Sequence, residues 1–247
     1  FIDYWSGHGA LLLGHSPPEI VEAVTHQIPH GTHYGACHPL ELEWANLVMD
    51  LIPSAERVRF VNSGTEATLM AIRLARTYTD RNKVLKFAGN FHGWHDSVIL
   101  GTSPPYDVPV PGIPKGTIET TIICPPNDID AVEQHLQSDP DIACVILEPT
   151  GGSFGTIPTN GEFLRQLREI TQRYDVVLIF DEVISGFRVS PGGAQGYYQV
   201  TPDLTTLAKI LAGGLPGGAL VGKKEILNLL SIREEKASKR GKKMPQP

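Results

Sequence analysis

The chain has 247 residues, of which 41% are hydrophobic and 19% charged, and this composition is typical of a folded globular protein. Its formal net charge of −6 argues against nucleic acid as the main partner, and no apolar run reaches the roughly 20 residues of a membrane span. The three cysteines, Cys37, Cys124 and Cys144, lie far apart without a CxxC pair, so we expect reduced thiols and a cytoplasmic location rather than a disulfide framework.

The first 52 residues differ from the rest and are expected to form an N-terminal segment. Residues 1–18 are rich in Gly, His and Pro and are predicted to be a loop. Apolar spacing then predicts helices over 18–26 and 39–51, and Pro53 ends the second. Residues 53–247 are expected to form one large domain. The chain begins without Met and stops soon after a basic run, so we expect it to be incomplete at both ends.

From residue 57 onward, short apolar runs typical of strands alternate with longer amphipathic runs typical of helices. The predicted strands are 57–61, 84–87, 120–123, 143–147, 176–180, 204–207 and 218–221. The predicted helices are 64–78, 129–137, 162–174 and 223–232, with a long Pro- and Gly-rich loop before residue 117 and a Thr159–Glu162 capping box before the third helix. This alternation predicts an α/β fold, a mostly parallel sheet with helices on both faces.

The most apolar of these strands, 176–180, leads directly into Asp181 and Glu182. Ligands of open α/β sheets bind where strands end, and a buried acid there needs a cationic partner. Lys209 lies in the apolar run 204–212, which denies its amine an easy route to water; the alternative is a surface lysine whose aliphatic chain lies along the protein. A buried acid and a desolvated lysine favour a site in which the acid holds a proton on a heterocyclic nitrogen and the lysine forms a Schiff base.

Two further motifs each have two interpretations. Ser63-Gly64-Thr65 starts a predicted helix, where Ser63 and Glu66 form either a simple capping box or part of a phosphate-binding site made by the first amides of the helix. Phe91 in the loop after strand 84–87 is either packed locally or lies flat over a cofactor ring. The neighbouring His92 and His95, like Cys37-His38, lack the HExxH or CxxC spacing of metal sites, so no metal is predicted.

Two other enzyme classes share parts of this pattern. An acidic pair after an apolar strand also occurs in phosphate-loop ATPases, but their GxxxxGK motif followed by Ser or Thr is absent from this sequence. Residues 151–155 match the GxSxG motif of α/β-hydrolases. Pro149 and Thr150 separate that motif from the preceding strand, Pro158 blocks a helix directly after it, and no histidine follows His135.

Taken in chain order, the motifs resemble those of the class III pyridoxal-phosphate-dependent aminotransferases. The resemblance covers nearly the whole chain, and residues 181–188 and 204–209 are most similar to the glutamate-1-semialdehyde 2,1-aminomutase branch. It implies the large domain of a fold-type-I pyridoxal-phosphate transferase, with the small C-terminal domain of the family apparently missing. The motifs that carry it are Ser63-Gly64-Thr65, Phe91-His92-Gly93, Asp181-Glu182-Val183 and Lys209.

The resemblance also implies a role for each residue of these motifs. Lys209 and Asp181 would be catalytic, with Lys209 carrying the cofactor and Asp181 protonating its pyridine nitrogen. The N-terminal segment would contribute to the substrate pocket, through His8 and Gly9, and to a homodimer interface. The expected contacts of pyridoxal 5′-phosphate are Ser63, Gly64, Thr65, Phe91, His92, Asp181, Val183 and Lys209.

The expected activity is transamination between a small-molecule amino donor and a keto or aldehyde acceptor. Two alternatives stay open. One is a 2,1-aminomutase, which transfers the amino group within one molecule; the other is a truncated, inactive relative.

Overall fold

The computed structural model describes residues 1–108 and 110–231. The strands of this part of the chain are β1 (Arg57–Val61), β2 (Lys83–Phe87), β3 (Thr121–Cys124), β4 (Ile142–Leu147), β5 (Gly151–Gly152), β6 (Ile157–Pro158), β7 (Val177–Asp181), β8 (Leu204–Ala208) and β9 (Gly218–Gly222). The helices are α1 (Ser6–Gly9), α2 (Pro18–Gln27), α3 (Pro39–Leu51), α4 (Gly64–Thr79), α5 (Lys115–Ile118), α6 (Ile129–Ser138), α7 (Gly161–Arg173), α8 (Gly193–Tyr198) and α9 (Lys224–Leu227). Short 3-10 helices occupy Ile28–His30, Ser153–Gly155, Lys209–Ala212 and Asn228–Leu230. No helix among the described residues is long and apolar enough to cross a membrane.

Seven strands form one sheet in the order β1-β9-β8-β7-β4-β2-β3, and β5 pairs separately with β6. Strand β9 is antiparallel to both of its neighbours, while every other pair in the large sheet is parallel. The prediction of a mostly parallel sheet is therefore confirmed. The apolar run at 177–181 lies at the centre of the sheet, where both faces are covered.

Side chains of β7 alternate between two separate hydrophobic clusters, as the two-residue period of a strand requires. Val177 and Ile179 pack with residues of α4 and α9, whereas Leu178 and Phe180 pack with α6 and α7. Helix α3 covers the end of the sheet around β8 and β9 on the α6 and α7 side, through Val48. Helices on both faces are thus confirmed, and each fully buried aliphatic side chain contributes roughly 1.5–3 kcal/mol to this packing.

Some local predictions were wrong. Helix α7 is capped by Asn160, whose side chain accepts the N–H of Glu162, and not by Thr159, whose hydroxyl donates to the carbonyl of Glu148. The Thr-x-x-Glu spacing could not distinguish between these adjacent polar residues. The helix predicted over 223–232 is instead the four-residue helix α9 followed by the 3-10 helix Asn228–Leu230. The prediction failed because the apolar spacing of this stretch fits both kinds of helix. Residue 232 lies outside the described residues. Helices α1, α5 and α8 and the β5–β6 pair were not predicted.

Glu182, the second acid of the Asp181-Glu182 pair, belongs to the core rather than to a ligand site. It is fully buried and accepts hydrogen bonds from the backbone N–H groups of Ala194 and Gln195, from the side-chain amide of Gln195 and from the hydroxyl of Ser185. Burial raises the pKa of Glu182, and these four donors oppose that effect. The Gln195 side chain in turn accepts the N–H of Ser54, so Glu182 joins the start of α8 to the segment after α3.

Glu182→Gln should lower the free energy of unfolding by about 2–3 kcal/mol, because its amide group would point N–H donors at other buried donors. Glu162→Gln is the matched control. It breaks only an exposed ion pair with Arg165, 2.7 Å long, and should cost about 0.5 kcal/mol. Urea denaturation of the parent and both variants measures the two costs. Equal, small effects at both positions would show that the Glu182 contacts do not stabilise the core.

Candidate active site

A cavity of about 600 Å³ lies at the carboxyl ends of β1, β2, β4, β7 and β8. This is the edge of the sheet at which the sequence placed the site. Of the ten predicted site residues, Gly9 is not among the described residues that line the cavity. The nine that do line it are His8, Ser63, Gly64, Thr65, Phe91, His92, Asp181, Val183 and Lys209.

Asp181, the last residue of β7, is buried and receives three hydrogen bonds. Its Oδ1 accepts the Thr206 hydroxyl at 3.0 Å and the backbone N–H of Val183 at 3.1 Å. Its Oδ2 accepts the Nδ1–H of His92 at 2.7 Å. The donors belong to β8, to the turn after β7 and to the loop after β2. Together they hold a carboxylate in a site where burial alone would make an unpaired charge costly.

His92 is hydrogen-bonded to Asp181 through Nδ1. Burial lowers the pKa of His92, so its ring is neutral at pH 7 and carries its proton on Nδ1, toward Asp181. Its Nε2 is buried without a hydrogen-bond partner among the described residues, as is Nδ1 of His95. Within residues 1–108 and 110–231, no group of three or more His, Cys, Asp or Glu side chains is arranged to hold a metal ion.

Lys209 directly follows β8 and begins the 3-10 helix Lys209–Ala212. Its φ of 51° lies in the left-handed region, which is uncommon for a residue other than glycine and is often found at functional sites. Burial lowers the pKa of Lys209, with Arg188 acting in the same direction and Asp181 and Glu148 opposing it. A larger fraction of this amine is therefore neutral near pH 7 than for a lysine in water.

The start of α4 forms a second wall of the cavity. Ser63 accepts the N–H of Glu66 at 3.2 Å and so caps the helix, while the Glu66 carboxylate accepts the N–H of Asn62 at 2.7 Å, one residue before the one that it binds in a capping box. Ser63, Gly64 and Thr65 also line the cavity, where the first amides of a helix have no partner within the helix. The structure is thus compatible with both interpretations of this motif.

Glycine is required at two positions next to this wall. A Cβ on Gly64 would lie 2.8 Å from a methyl group of Val183, and one on Gly93 would lie 2.6 Å from the hydroxyl of Thr65. Gly93 also has a φ of 105°, which side chains disfavour. The two glycines therefore allow the α4 start, the turn after β7 and the loop after β2 to approach one another closely.

The aromatic loop residues lie at the rim of the cavity. Phe91 lines it and is 43% exposed, so its ring is not buried in local packing. Trp94 contacts Phe91 edge to face, with the ring centroids 5.8 Å apart. In the N-terminal segment, His8 and Ala10 line the cavity, while the carbonyl of Gly9 accepts a hydrogen bond from the Arg188 guanidinium.

Glu148, which is not among the residues predicted from the sequence, lines the same cavity. Its carboxylate accepts the backbone N–H of Phe91 at 2.8 Å, and burial, followed by the charge of Asp181, raises its pKa to about 8. Glu148 follows the apolar strand β4 just as Asp181 ends β7. The same signal, an acid directly after an apolar strand, could have identified it.

Comparison with known proteins agrees with this geometry. The family model "Aminotransferase class-III" matches residues 1–239. A curated glutamate-1-semialdehyde 2,1-aminomutase from Sulfurisphaera tokodaii is 51% identical over 93% of this chain and 56% of its own length. The chain therefore spans little more than half of that relative.

Two solved structures share the fold. An omega-transaminase from Sphaerobacter thermophilus matches with a TM-score of 0.88 and 39% identity, over 93% of this chain and 55% of that one. A transaminase with bound PLP matches with a TM-score of 0.90 and 33% identity, over 100% of this chain and 57% of that one. The large sheet and its helices therefore have the fold of a pyridoxal-phosphate-dependent transferase.

The raised pKa of Glu148 predicts a pH dependence of stability. The ordinary pKa of a glutamate is 4.5, and that of Glu148 in the folded protein is about 8. Between these two pH values, Glu148 keeps its proton in the folded protein and releases it in the unfolded chain. The parent should therefore lose stability relative to Glu148→Gln, which cannot ionise, as the pH rises from 5 to 8, by on the order of 2 kcal/mol. Urea denaturation at several pH values measures this difference. Glu133→Gln, which removes a surface pair with Arg173, should not show it. If the difference in unfolding free energy between the parent and Glu148→Gln did not change with pH, the proposed effect of burial on the pKa of Glu148 would be contradicted.

Proposed function

This chain belongs to the class-III aminotransferase family, whose cofactor is pyridoxal phosphate, and we propose that the enzyme containing it transfers amino groups between small molecules by means of Lys209. The observation that carries the proposal is that a desolvated lysine and a buried, triply hydrogen-bonded Asp181 line one cavity. Because the chain spans about 56% of the S. tokodaii relative, the activity is proposed for the longer enzyme.

The cavity residues fit pyridoxal phosphate. Ser63, Gly64 and Thr65 would bind the phosphate at the start of α4, where the helix dipole favours an anion. Asp181 would face the ring nitrogen, and Phe91 and Val183 would contact the two faces of the ring. The absence of a side chain on Gly64 supports this fit, because a Cβ there would fill the space next to Val183. When bound, pyridoxal phosphate supplies an aldehyde that amines attack and a ring that withdraws electrons.

Each of the chain's own groups would then have a separate task. Asp181 holds a proton on the heterocyclic nitrogen, and His92, donating from Nδ1, keeps the Asp181 carboxylate oriented. Lys209 would act as the nucleophile through Nζ, because burial lowers its pKa and makes the neutral amine more abundant than in a solvated lysine. Once its amine is free again, Lys209 removes and returns a proton at the amino-bearing carbon of the substrate.

A 2,1-aminomutase reaction is the second candidate, since the curated relatives that carry this name are 47–51% identical to the chain. The two activities differ in what must be added. An aminotransferase requires an amino donor and a separate keto or aldehyde acceptor, whereas an aminomutase isomerises a single aminoaldehyde. Supplying the two sets of substrates in separate assays distinguishes them, and turnover of neither would indicate an inactive relative.

We further propose a cytoplasmic homodimer in which residues 1–52 contribute to the pocket and to the interface. Most of the exposed large apolar side chains among the described residues lie in this segment, including Tyr4, Trp5 and Leu13. His8 lines the cavity from the same segment. The buried free thiols of Cys124 and Cys144 support a reducing compartment. Light scattering of the full-length protein should give the mass of two chains; a fully active monomer would contradict the dimer.

Lys209 should be the lysine that reacts with the cofactor. Borohydride treatment in the presence of pyridoxal phosphate should leave the pyridoxyl label on Lys209, because burial lowers its pKa and raises the fraction of neutral amine. Peptide mass spectrometry locates the label. Lys209→Ala should lose the label and nearly all amino transfer, while Lys224→Ala, a surface control, should keep both. A label found mainly on other lysines, or normal turnover by Lys209→Ala, would contradict the proposed role.

Asp181→Asn should retain the fold and the yellow colour of the bound cofactor but reduce turnover strongly, by about 100-fold or more. Without the carboxylate charge, the ring nitrogen has no partner that stabilises its proton. Circular dichroism, the absorbance spectrum and initial rates separate these effects. Turnover within a few-fold of the parent would show that Asp181 only supports the structure.

A further inference from the structure

Lys86, one strand from the β3 edge of the sheet, is an unexpected residue in the core. It lies on β2, is completely buried, and is among the largest of the fully buried side chains in the part of the chain that the structure describes. Its ammonium group donates to three backbone carbonyls, those of Asn90 at 2.9 Å, Val98 at 2.6 Å and Leu100 at 2.7 Å. An ammonium group has three N–H donors, so each can be matched with one acceptor. A neutral amine has only two, and one carbonyl would lose its donor.

The positions of the three acceptors along the chain are informative. Asn90 directly precedes Phe91 and His92, whereas Val98 and Leu100 lie beyond the end of that motif. The Lys86 ammonium therefore joins the two ends of the loop 90–100 at its base. Residues 91–97 are left to extend from this junction, with Phe91, His92 and Gly93 at the cavity wall.

Lys86 is close to the site without being part of its surface. It pairs with Ile146 of β4, and Ile146 pairs with Ile179 of β7, so Lys86, Glu148 and Asp181 lie on the same face of the sheet. It is not among the described residues that line the cavity. Burial lowers the pKa of Lys86 to about 7, and the charges of Glu148 and Asp181 oppose that effect, so the ammonium form with its three donors predominates below that pH.

The rest of the loop has contacts of its own. The Phe91 N–H donates to Glu148, the His92 carbonyl accepts the Thr68 hydroxyl at 2.6 Å, and the His92 ring donates to Asp181. All of these contacts are made by Phe91 and His92 themselves. The two ends of the loop are joined by the backbone N–H of Gly89, which donates to the carbonyl of Gly101 at 2.8 Å, and by Lys86, whose side chain contacts carbonyls both before and after the motif.

We propose that Lys86 is a positioning residue, which closes the base of loop 90–100 and thereby holds Phe91 and His92 at the cofactor-binding cavity. That the cavity binds pyridoxal phosphate is taken from the proposed function, and this part of the proposal rests on it. The closure of the loop itself does not depend on it.

The alternative is that Lys86 merely fills the core. Taking an ammonium group out of water is costly, and replacing buried ionic groups by apolar residues of similar size is often neutral or stabilising. Methionine has nearly the same length and no donor. If Lys86 only fills space, Lys86→Met should leave loop 90–100 unchanged; if it closes the loop, three carbonyls lose their donor and the loop should open.

The test uses Lys86→Met, Lys86→Gln, which keeps two N–H donors, and Lys83→Met as the control. Lys83 is on the same strand and pairs instead with Asp139, at 2.5 Å. Hydrogen exchange of the full-length protein without cofactor should be about tenfold or more faster at residues 90–100 in Lys86→Met, intermediate in Lys86→Gln and unchanged in Lys83→Met. Exchange in β4 and β7 should stay as in the parent. The Kd for pyridoxal phosphate, from titration by absorbance, should rise about tenfold or more in Lys86→Met, by less in Lys86→Gln and not at all in Lys83→Met.

Several results would overturn the proposal. Unchanged exchange in the loop would make Lys86 a core filler. Faster exchange spread equally over β2, β4 and β7, or failure of both Lys86 variants to fold, would make it a requirement of the whole sheet. If exchange at residues 90–100 became faster while the Kd for pyridoxal phosphate stayed unchanged, closure of the loop by Lys86 would not be needed for cofactor binding. If the parent itself does not bind pyridoxal phosphate, the proposed function fails and the link to the site fails with it, while hydrogen exchange still decides whether Lys86 closes the loop.

Discussion

The buried carboxylate of Asp181 is the constraint on which the site depends. A charge at the end of a central strand is tolerable only when donors replace the water that it has lost. The donors come from three parts of the chain, namely Thr206 on β8, Val183 in the turn after β7 and His92 in the loop after β2. Asp181 can therefore keep its place only if these three segments are correctly docked, and that docking also creates the cavity.

The two adjacent acids after the apolar run have opposite tasks because a strand alternates its side chains. Asp181 faces the side of the sheet covered by α4 and lines the cavity, whereas Glu182 binds the start of α8. One dipeptide thus supplies both a site residue and a core contact. The same face of the sheet carries Lys86 and Glu148, and the charge of Asp181 acts to raise the pKa of both, although burial lowers the pKa of Lys86 overall.

Much of the architecture could be predicted because it follows from local patterns. The alternation of short apolar runs with amphipathic runs indicated a parallel sheet, and α3 and β1 begin and end where predicted. Predictions from local patterns were wrong where the same residues fitted two alternative local structures equally well. Thr159 and Asn160 could each have capped α7, and the residues after 223 fit an α-helix as well as a 3-10 turn. Lys86 was treated as an ordinary strand residue because its three acceptors are carbonyls, which leave no mark in a sequence.

The sequence by itself determined the fold class and the kinds of residue at the site, because strand and helix periods, glycines and an acid after an apolar run are all properties of neighbouring positions. Only the tertiary structure decided which residues meet. His92 and Asp181 are 89 positions apart, and their hydrogen bond depends on the order and register of β2, β4 and β7. The tertiary structure also decided that Glu148 lies in the same cavity and that Lys209 is partly buried at its wall. Burial and pairing of this kind are set by packing between distant segments, and no local pattern encodes them.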